Sequence, residues 1–167
     1  MMKLSKVLVV FLFILAAVFV TAAADSVPTI TIPALNVAST ITEFPLAQKT
    51  WAIDAWETAV GHLEGTAGFA DSGNIVLAGH SKMPNGKPGI FNRLGELVVG
   101  DTISVFDGIT ERVYRITNVL TVSADDVSVV YPTSNTQLTL LTCDTNSYNS
   151  DSKRYDRRVV VVAEPAS

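Results

Sequence analysis

An all-β fold, either a sandwich or a barrel, is the class this sequence predicts, and three observations predict it. Short extended runs recur along the chain, Gly, Pro, Asn and Asp separate them, and helical periodicity is nearly absent. Thr29-Ile30-Thr31-Ile32 alternates polar and apolar residues and is closed by Pro33. Asn74-Ile75-Val76-Leu77-Ala78 is apolar and stops at Gly79. Thr102 to Phe106 and Arg112 to Val119 both alternate, and Asp107-Gly108 between them reads as a hairpin turn. Gln137 to Thr142 and Arg158 to Val162 are rich in Thr, Leu and Val. Helix is expected only within Ile53 to Leu63 and Phe91 to Leu97, one or two turns in each. No internal repeat stands out, and no linker divides the chain after Pro28.

The chain has 167 residues, which suits one domain and not two. Hydrophobic residues make up 48% and charged residues 17%, enough apolar mass for a core and too much for a disordered tail. The formal net charge is −4, with no concentration of positive charge of the kind that neutralises phosphates, so nucleic acid is not an expected partner. One cysteine and two histidines cannot build a structural zinc site without several carboxylates, and no intramolecular disulfide is possible.

Residues 1–24 read as an export segment. Lys3 and Lys6 precede an apolar run from Val7 to Val20, and Thr21-Ala22-Ala23-Ala24 ends it with small residues. The segment is either cleaved after the alanines or retained as a membrane anchor, and retention is the expectation. Residues 25–167 then form the exported domain, on the extracytoplasmic side by the positive-inside rule. Outside the cell, where cysteines usually come in twos, a single one is an intermolecular partner, a working thiol or a buried structural residue. Cys143 is that residue.

Thr139-Leu140-Leu141-Thr142-Cys143-Asp144 is an apolar strand that ends in the cysteine and passes at once into a polar loop. A rigid strand aims the sulfur and its end meets solvent, which suits a nucleophile. A thiol reacts as its thiolate and needs a basic or positive neighbour. His62 and His80 are the candidates, and His80 is preferred because it also follows a strand, Ile75 to Gly79, with small Ala78 and Gly79 beside it. Carbonyl chemistry further requires a group that steadies the oxyanion. Arg157 and Arg158 open the last apolar run, and alternation lets only one of them face the cysteine without saying which.

These segments together resemble the sortases, the exported cysteine transpeptidases of bacterial cell envelopes. Thr139 to Cys143 matches the family's TLxTC signature at every fixed position, and Leu77-Ala78-Gly79-His80 matches the segment ending in its catalytic histidine. Arg158, five residues before Ala163, falls where the family keeps its arginine. Ile30 to Leu35, Gly89 to Leu94 and Gly100 to Ile103 are similar to the family as well, so the resemblance runs from about Pro28 to Glu164. It implies a closed eight-stranded β-barrel with Cys143, His80 and Arg158 around one groove, and Ala78, Leu141 and Thr142 lining the pocket. It also implies an LPxTG-like sorting signal as substrate, with an amine of a cell-wall precursor or a pilin as acceptor. Neither metal nor cofactor is expected to take part. The alternatives are another exported cysteine-dependent envelope enzyme and a degenerate sortase-like binding module. An L,D-transpeptidase would carry its cysteine in a Ser-His-Gly-Cys context, which is absent around Cys143.

No Asp-Pro-aromatic lid is present, since Asp54-Ala55-Trp56 lacks the proline, and Ser123 to Asn135 is too short for a helix-bearing insertion. The chain therefore resembles the compact classes A, D, E and F, and Gly61 to Ala67 leans toward D or E. His62 is expected on a loop or at the substrate rim. Asp125 and Asp126 point apart on an extended chain, which argues against a shared-proton pair, and two clustered acids make a poor calcium site. Trp51 and Trp56 are expected in the core or over the groove. Asp151 to Arg157 reads as a solvated mixed-charge loop flanking the groove.

Overall fold

The computed structural model describes residues 26–48, 50–51 and 59–166. The export segment and Trp56 lie outside them, as does most of the first expected helix. Twelve strands follow in chain order: β1 (Thr29–Ile32), β2 (Val37–Phe44), β3 (Leu46–Ala47), β4 (Thr50–Trp51), β5 (Val60–Leu63) and β6 (Asn74–Ala78); then β7 (Thr102–Phe106), β8 (Glu111–Ser123), β9 (Gln137–Cys143), β10 (Tyr148–Asn149), β11 (Arg154–Tyr155) and β12 (Arg157–Pro165). Eight of them close a barrel in the order β1-β2-β5-β6-β9-β12-β8-β7, while β3–β4 and β10–β11 form two small ribbons outside it.

Alternation sorts each barrel strand into an inner and an outer row. Ile75 and Leu77 of β6, Leu138 and Leu140 of β9, and Val161 and Ala163 of β12 join Ile30, Ile32, Ile103, Tyr114 and Ile116 in one buried core. Burial pushes the Tyr114 phenol above its ordinary pKa. A second, smaller apolar cluster lies on the outer side, where Phe44, Leu63, Val76 and Ala78 pack with Trp51 and Leu141.

Val60–Leu63 departs from the expected helix. All four residues are buried, and β5 runs parallel to β2 with Ile41 opposite Val60 and Glu43 opposite His62. Gly61 permits this pairing, because a Cβ there would fall 2.0 Å from the Phe44 ring. Tertiary burial on both faces therefore overrides the local pattern. His62 is correspondingly neither on a loop nor at a rim. It is buried in β5, with Nδ1 2.7 Å from a Glu43 carboxylate oxygen and Nε2 2.9 Å from the Ala67 carbonyl oxygen. Within Phe91 to Leu97 only Leu94–Glu96 is helical, a single 3₁₀ turn that buries Leu94.

The β7–β8 hairpin turns at Asp107-Gly108, as its sequence predicts. The Asp107 carboxylate accepts from the Ile109 and Thr110 amides at 2.8 and 2.7 Å and pairs with Arg112. The Thr110 amide foremost, and then Arg112, hold its pKa down to about 2.

Candidate active site

Strands β6 and β9 run parallel, with Ala78 opposite Leu141, so both strands end at the same rim of the barrel. The Gly79 amide continues the ladder by donating to the Leu141 carbonyl at 3.2 Å. The Thr142 hydroxyl, buried, donates to the Gly79 carbonyl at 2.7 Å and ties the two strand ends together. Strand β12 lies antiparallel on the other side of β9 and sets Arg158 directly opposite Cys143. Cys143, Leu141 and Arg158 all belong to the outer row, opposite the core residues Leu140, Val161 and Ala163.

A groove of about 830 Å³ crosses this outer face. All six residues singled out by sequence, Cys143, His80, Arg158, Ala78, Leu141 and Thr142, line it. Cys143, His80 and Arg158 are each half-buried, placed at the surface without being freely solvated. The Thr142 hydroxyl is engaged by Gly79, so this residue braces the groove as well as lining it.

His80 is held by its backbone. Its carbonyl accepts from the Phe91 amide at 2.9 Å, and the Ser81 carbonyl accepts from the Gly89 amide at 2.9 Å. Gly89 is packed so closely that a Cβ would lie 2.1 Å from the His80 carbonyl oxygen. Phe91, fully buried in the core, anchors the far side of this excursion. The loop that returns from His80 brings Ser81, Lys82, Met83 and Pro84 to one bank of the groove. The Ser81 hydroxyl is buried with no hydrogen-bond partner among the described residues.

Register decides between the two arginines. Arg158 lines the groove, and its Nη1 donates to the Tyr155 and Arg157 carbonyls at 2.9 and 3.0 Å, which fixes the guanidinium beside the cysteine strand. Arg157 turns away and pairs with Asp144 at 3.0 Å. Asp144, buried immediately after Cys143, also accepts from the Asn146 amide at 2.9 Å, and its own amide donates to the Arg157 carbonyl at 3.0 Å. This residue pins the exit from β9, a role the sequence did not disclose.

The remaining walls come from the two ribbons. Trp51 lines the groove from β4, and its indole N–H donates to the Glu64 carbonyl at 3.0 Å, so one of the two tryptophans does cover the groove. On the opposite side Tyr148 and Tyr155 stack edge to face across β10–β11, with ring centroids 5.3 Å apart, and Lys153 and Arg154 extend the same wall. Neither tyrosine carries a sequence signal, since their meeting depends on the ribbon's register. Asp126 caps the 3₁₀ turn Val127–Val130 by accepting from the Ser128 amide at 3.0 Å, while exposed Asp125 lies 3.7 Å from Arg154. Among the described residues no group of three or more His, Cys, Asp or Glu is placed to hold a metal ion.

Comparison with known proteins agrees with this geometry. A sortase-domain profile matches residues 30–166. Sortase D of Bacillus subtilis (strain 168) is 33% identical over 115 residues, covering 68% of this chain and 54% of that protein. Sortase A of Bacillus anthracis is 36% identical over 83 residues, covering 50% of this chain and 38% of the relative. The chain thus spans about half the length of the first relative and less of the second. In fold it is similar to a Clostridium perfringens Sortase D5 transpeptidase, with TM-score 0.67 and 24% identity, covering 86% of this chain and 80% of the other. Sortase A of Listeria monocytogenes gives TM-score 0.67 at 22% identity, covering 86% of this chain and 89% of the other. With the signature strand, the histidine and the arginine all meeting at the rim of a closed eight-stranded barrel, the chain belongs to the sortase family.

Proposed function

We propose that this chain is a cysteine transpeptidase that cleaves an LPxTG-like sorting signal and transfers the shortened protein to an amine. One observation carries the reading: a thiol, an imidazole and a guanidinium at the ends of three adjacent strands line a single groove on the barrel's outer face. A site of this size accepts a short extended peptide and little more.

The reaction has two halves. The Cys143 thiolate attacks the carbonyl carbon of the sorting-signal threonine, the C–N bond breaks and a thioester forms. His80 delivers a proton to the departing glycine amine. Arg158 donates to the carbonyl oxygen as negative charge builds there. An amine of a cell-wall precursor or a pilin lysine then attacks the thioester, His80 removes its proton, the new amide forms and the sulfur departs. The bookkeeping of atoms closes without a cofactor. Ala78 and Leu141 supply an apolar floor for the bound peptide, and Thr142 holds that floor in place. The enzyme works on the extracytoplasmic side, tethered or exported through residues 1–24.

The test is an LPxTG-type peptide incubated with the full-length chain and an oligoglycine amine, with intact mass read during turnover. A peptide-sized adduct on Cys143 and a peptide–oligoglycine product are expected. Cys143→Ala and His80→Ala should each lose the product entirely, because residues acting as a unit are not additive. Cleavage that survives Cys143→Ala overturns the reading.

A further inference from the structure

The charge along the groove's described lining is one-sided. Among its described lining residues Lys82, Lys153, Arg154 and Arg158 are cationic, and none carries a carboxylate. The whole chain runs the other way, with 16 acidic against 12 basic residues. One third of its basic residues therefore border a single depression of an acidic protein. Two of them have nothing opposing them: Lys82 and Lys153 make no ion pair among the described residues. Arg154 is partly offset, with Asp125 at 3.7 Å and Asp156 at 3.9 Å. Arg158 is fixed by carbonyl oxygens, which orient it and leave its charge intact.

Position adds to the asymmetry. Lys82 stands on the bank after His80, and Lys153 and Arg154 stand on the β10–β11 ribbon across the groove. Lys153 has φ of 54°, so the turn of that ribbon is held in the left-handed region while it presents the lysine. A peptide lying between these banks has cationic side chains on both sides. Potentials of one sign in a cleft raise the local concentration of the opposite charge and bias which ligands stay.

We infer that the groove selects acidic peptides: the preferred sorting signal carries a carboxylate side chain at its variable position or immediately beside the cleaved bond. The inference deepens the transpeptidase reading and rests on it for the word substrate, but not for the binding preference. Exposed charge pairs each contribute little, and several acting together give about tenfold, an effect that salt weakens as the screening length contracts.

The experiment uses the full-length chain and peptides identical except for Glu, Gln or Lys at the variable and flanking positions. Wild type should process the Glu peptides about tenfold better in kcat/KM than the Gln peptides, with Lys peptides poorer still. The gap should narrow to about twofold at 0.5 M salt. The double change Lys153→Glu with Arg154→Glu should reverse the order of the three peptides, and Lys82→Glu should weaken it. A parallel arm measures binding of the labelled peptides to Cys143→Ala by anisotropy, so a failure of catalysis and a failure of charge selection read out separately. Equal binding of Glu and Gln peptides at low salt, or a preference indifferent to the double reversal, overturns the inference.

Discussion

The inner and outer faces of the β6–β9–β12 wall are made of the same three strands and do opposite work. Inward, Leu77, Leu138, Leu140, Val161 and Ala163 are fully buried and hydrophobic. Outward, at the alternate positions of the same strands, stand Ala78, Leu141, Cys143 and Arg158, small or half-buried and bordering the groove. A period of two lets one backbone serve both duties, because each face is free to vary while the ladder between them stays fixed. Precision at the outer face thus derives from packing at the inner one.

Substitutions at neighbouring positions break this comparison most directly. Leu140→Ala should cost about 3 kcal/mol of stability, as expected for a cavity in a dense core, whereas Leu141→Ala should cost about 1 kcal/mol and chiefly raise KM. Chemical denaturation and steady-state kinetics on the pair decide it, and equal stability losses would show that the faces do not divide the work. Next comes the arginine pair. Arg158→Lys should lower kcat/KM about a hundredfold with folding intact, since an ammonium lacks the planar fork. Arg157→Ala should act mainly on stability through Asp144, and a fatal Arg157→Ala beside a harmless Arg158→Lys would reverse the assignment.

The third prediction concerns a region remote from the groove. Because the folded state holds the Asp107 carboxyl down to about 2, its contribution is complete above the ordinary aspartate range near 4 and disappears as pH falls through 2. Thermal unfolding of wild type should therefore fall more steeply between pH 4 and 2 than that of Asp107→Asn, and parallel profiles would refute the linkage. The smallest effect is expected at Ser81. Its buried hydroxyl has no partner among the described residues, so Ser81→Ala should gain about 1 kcal/mol in denaturation. A loss of stability there would reveal a bond the hydroxyl makes.

Six of the eight barrel strands were legible because they are apolar or alternating runs bounded by turn residues. β2 and β5 were not. β2 reads Val-Ala-Ser-Thr-Ile-Thr-Glu-Phe, too polar to announce itself, and β5 is four residues with a glycine inside. Their pairing is parallel and therefore lacks a hairpin turn to mark it. At the site, Cys143 and His80 were legible from their places at strand ends. The bare alternation could not choose between Arg157 and Arg158, because the choice depends on the register of β12 against β9, a fact about two distant segments. Trp51 was readable as a cover, whereas the Tyr148–Tyr155 pair and the Asp144 brace exist only once the ribbons fold back.

The final strand, β12, is wedged between β8 and β9 and brings the guanidinium with it. A polypeptide lacking residues 157–165 would thus lose more than one side chain. It would be left with two raw sheet borders, each a template for pairing with other molecules. Chemical competence and protection from self-association therefore arrive in the same event, the docking of β12 between its neighbours.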